Sequence, residues 1–141
     1  MTDSREASLY RADLGMAWVN DVLAKVPFVL QQRYNYDFRT TRAEQSDVYI
    51  ETEWLIRPAF PDESAVGITK AKMRIILTGQ HRGRASPTIA SAIRTSLQLR
   101  FEYAVTFAGS EEWTAHPFGD TMRAYVKRLE NELKTVLNIQ R

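Results

Sequence analysis

Four stretches of this chain alternate apolar and polar residues with a period of two, which points to half-buried antiparallel strands. In the first, Phe28, Leu30, Tyr34, Tyr36 and Phe38 share one face, and Gln31, Arg33, Asn35, Asp37 and Arg39 the other. The second sets Val48, Ile50, Thr52, Trp54 and Ile56 against Asp47, Glu51 and Glu53. The third opposes Ala71, Met73, Ile75 and Leu77 to Lys70, Lys72 and Arg74. The fourth opposes Leu97, Leu99, Phe101, Tyr103, Val105 and Phe107 to Gln98, Arg100 and Glu102.

Helical spacing brackets these runs. Asp3 and Glu6 are placed as a capping box, and Leu9, Ala12, Met16, Val19, Leu23 and Val26 follow at steps of three or four. Pro27 is the expected stop, since proline disfavours helical geometry in the residue before it. From about Pro117 to Leu137, Met122, Tyr125, Val126, Leu129, Leu133 and Val136 line one side of a second helix. Ser86-Pro87 reads as the start of a short extra helix. The expected fold is a single α+β domain over residues 1–141, in the order α-β-β-β-(short α)-β-α. Its four-stranded antiparallel sheet carries the N- and C-terminal helices packed on one face. In a meander the first and fourth strands are edges, and long open edges recruit other chains unless covered.

Composition narrows the class. Apolar residues make up 44% and charged residues 26%, an ordinary globular mixture. With no Cys, disulfide frameworks and thiolate metal sites are excluded. No apolar run approaches the ~20 residues of a membrane span, and the first residues lack a basic flank and apolar core. The expected location is cytoplasmic, although a mature exported chain would read the same.

Net charge is only +2, but it is unevenly spread. Seven acids fall between Asp37 and Glu63; from Ser64 to Phe101 there are none, against seven Lys and Arg. Within that basic region His81, Arg82, Arg84 and Ser86 form a candidate anion or partner loop ahead of the expected short helix. It lacks the GK[ST] of a phosphate-binding loop. Nucleic acid is disfavoured for the 70–100 region, because no aromatic lies between Phe60 and Phe101 to stack on bases.

Catalytic patterns are weak. Glu51 and Glu53 share a strand face, as paired acid–base carboxylates would, but cross-strand ion pairs with Arg33, Arg39, Lys70, Lys72 and Arg74 explain them better. His81 and His116 have no partner at metal or catalytic spacing, and no cofactor motif is visible. Candidate interface residues are Phe60 and Trp113, since aromatics often anchor partners, and Arg100 and Glu102, the outward charges of the fourth strand's expected edge. Tyr34, Tyr36, Trp54, Met73 and Phe101 would line any cavity between sheet and helices. The expectation is a non-enzymatic protein-interaction domain, a subunit or adaptor meeting a protein partner or a second copy. The rival reading is a module for a hydrophobic small molecule or lipid, and the third is phosphate or nucleic-acid binding through the basic region.

Overall fold

The N-terminal segment is a strand, not a helix. In the computed structural model, which describes residues 7–44, 47–80 and 94–139, the chain runs β1 (Ser8–Trp18), α1 (Val19–Tyr34), β2 (Phe38–Glu44), β3 (Asp47–Thr52) and β4 (Leu55–Pro58). It continues through α2 (Pro61–Ser64), β5 (Ile68–Gln80), β6 (Arg94–Phe107) and α3 (Asp120–Val136). The class is α+β with an antiparallel sheet, as expected, but among the described residues the sheet has six strands rather than four. Their order is β1-β6-β5-β3-β2, with β4 pairing β5 beyond the end of β3.

Gly15 explains the misread N-terminus. Between Asp13 and Gly15 the pairing of β1 with β6 slips by one residue. This bulge moves the inward positions from Ser8, Tyr10, Ala12 and Leu14 to Ala17. A period of two broken by one bulge mimics a helical stripe over eleven residues. Gly15 has φ +104°, a conformation closed to a helix and comfortable for glycine. A Cβ there would come within 2.9 Å of Ile139 Cγ2.

The first expected strand is mostly helix. α1 passes through Pro27 and buries Val19, Val22, Val26, Val29 and Leu30. A proline inside a helix costs roughly 3 kcal/mol; the buried valines and leucine on either side outweigh it through tertiary packing. Asn35 ends the helix in the left-handed conformation at φ 65°, with Tyr36 N–H donating to Leu30 C=O at 3.0 Å. Tyr34, Tyr36 and Phe38, alternate in sequence, thus belong to a helix end, a turn and a strand start.

The second expected strand is two. After Thr52 the chain leaves the ladder, Glu53 N–H donating to Asp37 C=O at 2.8 Å, and β4 begins at Leu55 opposite Met73. Inward phase passes from Val48, Ile50 and Thr52 to Leu55 and Arg57, which turns Trp54 to the other face. β5, β6 and α3 lie close to where the sequence placed them. The short helix expected after Ser86-Pro87 falls outside the described residues, and α2 was not anticipated.

The buried residues of α1 and α3 form one apolar cluster with alternate residues of the central strands: Ala71, Met73, Ile75 and Leu77 of β5, and Leu97 to Val105 of β6. Phe101, Tyr103 and Leu99 at its centre are essentially inaccessible. The remaining alternate residues of the strands make up an outer sheet face. No described helix is long and apolar enough to cross a membrane.

Candidate functional site

Two surfaces gather the chemistry-bearing side chains: the outer sheet face, and a cleft where β4 meets the ends of α1 and α3.

On the outer face, register places a chain of ion pairs across four strands. Arg39 Nε lies 3.7 Å from Glu51, which Arg74 Nη1 also reaches at 3.1 Å. Arg74 Nε then reaches Glu102 at 2.7 Å, and Arg100 Nε reaches the other oxygen of Glu102 at 3.1 Å. Tyr49 adds a hydrogen bond from its hydroxyl to Glu51 at 2.8 Å. The expected pairing of Glu51 with Arg39 and Arg74 is therefore present, whereas Arg33 instead pairs with Glu132 on α3. Glu53 is exposed and, among the described residues, makes none of these ion pairs. Each carboxylate in it is shared between two guanidinium groups, which leaves neither as a free acid–base group.

Aromatic rings flank these charges, each faced by a cation. Lys72 Nζ sits 4.3 Å from the Trp54 ring centre and 4.7 Å from that of Trp113, held between the two. Arg42 lies over Tyr49 at 4.9 Å and Arg94 over Trp18 at 5.0 Å. The Trp113 segment folds back along β6, where Thr114 and Val105 exchange backbone hydrogen bonds of 2.9 Å. Trp113 is thus a half-buried clamp on the sheet rather than a free anchor. Arg100 and Glu102 lie on a central strand, not on an edge: β6 is flanked by β1 and β5. The edge expected at the fourth strand does not exist, because the N-terminal segment supplies another strand there. Among the described residues the open edges are β1 on one side and β2 and β4 on the other.

The cleft has a buried polar wall. Glu63 is 4% exposed and accepts two hydrogen bonds from Arg57, at 2.8 and 3.0 Å, one from the Phe60 N–H at 2.8 Å, and one from the Tyr103 hydroxyl. Burial alone would raise the Glu63 pKa; the bonds from Arg57, Tyr103 and Phe60 outweigh it and hold the carboxyl below its ordinary value. Arg57 stacks over Phe60 at 3.5 Å, and its Nε is buried with no hydrogen-bond partner. Phe60 is consequently part of this wall, half-buried at the cleft. Nearby, the Tyr36 and Tyr125 hydroxyls lie 3.0 Å apart, and Tyr34 donates to Glu132 at 2.7 Å. Burial, then the bond to Glu132, pushes Tyr34 up to about 12.

Of the five expected cavity residues, Tyr34 and Met73 line the cleft, an open hollow of about 530 Å³. Tyr36 and Phe101 are fully buried in the core, and Trp54 lies on the opposite face. His81, Arg82, Arg84 and Ser86 lie outside the described residues. Sequence reasoning missed Arg57, Glu63, Tyr125 and Arg128. The available signal was Arg57 itself, a cation at an inward strand position, obscured by the phase change at Glu53-Trp54.

Among the described residues, no cluster of His, Asp and Glu is arranged to hold a metal ion. No family model, curated protein or solved structure matches this chain.

Proposed function

We propose that this chain is a non-enzymatic interaction domain that serves as a subunit of an assembly, and that its partner is a second copy joined edge to edge along β1. The observation that carries this reading is the position of Arg11 and Asp13 on β1, which has no second strand partner among the described residues. Two antiparallel copies related by a two-fold axis must pair residues of equal parity about a central residue. An axis through Ala12 sets Arg11 of each copy opposite Asp13 of the other, and Tyr10 opposite Leu14. Charges that guard an edge against unlike chains are here complementary to themselves. Leu9 and Met16, 37% and 40% exposed on the outer face, flank the resulting seam. The bulge ahead of Gly15 confines pairing to a short stretch, which sets register as well as limiting length.

Phosphate-rich partners fit the outer face less well, because Glu51 and Glu102 are embedded among its arginines and already paired with them.

Sedimentation of the 16.2 kDa chain across a concentration series tests the proposal. The wild type should reach twice its mass at high concentration. Arg11→Asp and Asp13→Lys should each remain monomeric, since both set like charges opposite one another, and mixing the two variants should restore the dimer. A wild type that stays monomeric throughout, or an Arg11→Asp variant that dimerises equally well, would sink the reading.

A further inference from the structure

We infer that the cleft between the C-terminal end of α1, β4 and α3 binds an amphipathic monoanion: an apolar body of aromatic or medium-chain size carrying one carboxylate-like head.

Size and lining come first. At about 530 Å³ the cleft lies within the range typical of small-molecule sites. Leu55, Phe60, Met73 and the Tyr125 ring supply apolar walls, and Tyr34 meets Tyr125 edge-on at 5.7 Å between ring centres. Such a surface favours an apolar body.

Charge selects the head. Three arginines line the cleft, Arg33, Arg57 and Arg128, against one carboxylate, Glu132. Glu132 is taken by Arg33 and by the Tyr34 hydroxyl. Arg57 is neutralised from behind by Glu63, so its position is fixed but its charge is spent. Arg128 remains, exposed on α3, its guanidinium 5.9 Å from the Tyr125 ring centre. Among the described residues Arg128 makes no ion pair. Arg128 also hydrogen-bonds the Tyr34 hydroxyl, which spends one of its donors but leaves the guanidinium without a direct ion pair. Such a group beside an apolar wall matches one anionic head, and its planar fork matches a carboxylate in particular. A neutral lipid would leave that charge unanswered, and a polyanion would meet Glu132.

The buried Arg57–Glu63 pair also takes on a purpose here. Ion pairs in an apolar interior add little stability, because desolvation offsets their attraction. Stacked on Phe60, the pair holds a rigid polar wall beside the cleft.

Decanoate and decanol, which share a chain and differ in the head, test the inference on the full-length protein with labelled methionine methyls. Decanoate should shift the Met73 methyl resonance saturably and leave Met16, on the outer face of β1, unmoved. Arg128→Gln, an exposed change that should not disturb folding, should weaken decanoate on the order of ten-fold, the usual worth of a charged hydrogen bond. It should leave decanol unchanged. Leu55→Trp, which fills the cleft, should weaken both. If Met73 does not respond to decanoate, or Arg128→Gln leaves decanoate affinity unaltered, the assignment is wrong. Neither result depends on whether the chain dimerises through β1.

Discussion

Arg57 and Glu63 are six residues apart in sequence and joined by two parallel hydrogen bonds, with side chains 13% and 4% exposed. Strand β4 carries the guanidinium inward, and the single turn of α2 swings the carboxylate back to meet it. Removing either partner strands a buried charge. Glu63→Ala should therefore cost about 3–5 kcal/mol, with Arg57→Ala similar. Arg57→Met combined with Glu63→Met should cost far less than the sum of the single losses, because no charge is left unpaired. Urea titrations of the four proteins check this; additive costs would mean that the two residues act separately.

The pH dependence follows from the same carboxylate. Glu63 has a folded pKa below its ordinary value of 4.5, the bonds from Arg57, Tyr103 and Phe60 outweighing burial. Glu130 is also lowered, with burial opposing and the bonds from Tyr10 and Lys134 prevailing. Below 4.5 the unfolded state takes up protons that the folded state resists. Stability is thus fully present above that value and is lost as pH falls through the folded values. Glu63→Gln should be less stable at neutral pH but show a shallower decline on acidification. Stability curves of equal slope for the two proteins would contradict this.

Lys72 between Trp54 and Trp113 ties the segment after β6 to the outer face. A partly desolvated cation–ring contact contributes about 0.5–2 kcal/mol. Trp113→Ala should therefore speed hydrogen exchange at Val105 and Thr114, whose amides pair across this fold-back, while Leu99 and Phe101 deep in β6 remain protected. Uniform acceleration along the strand would show global destabilisation instead.

Gly79 leaves no room for a side chain: a Cβ would lie 2.4 Å from Thr95 Oγ1. Gly79→Ala should destabilise by about 1–3 kcal/mol through overpacking. Thr95 Oγ1 is buried and makes no hydrogen bond, so Thr95→Ala should be tolerated and should relieve much of the Gly79→Ala cost. Thermal melts of the three variants check both points; no relief in the double variant would place the strain elsewhere.

Pattern alone was sufficient where a segment kept one period over its whole length. β5, β6 and α3 were legible because each has an unbroken apolar face, and the ion pairs of Glu51 with Arg39 and Arg74 followed from neighbouring strand faces. The same reasoning established the α+β class and the antiparallel sheet. Segments whose period was interrupted were decided by tertiary structure. A bulge at Gly15 turned a strand into an apparent helical stripe, burial of Val26 and Val29 carried α1 through Pro27, and the irregular pair Glu53-Trp54 reversed which face the tryptophan occupies. Those outcomes depend on contacts with residues distant in sequence, and a local period carries no information about them. Strand order was likewise out of reach: β6 became central only because the N-terminal segment pairs with it. The inward placement of Arg57 beside Glu63 rests on that arrangement too, as does the position of the exposed Arg128 at the cleft with no ion pair among the described residues, since compensation of a charge is set by neighbours in space.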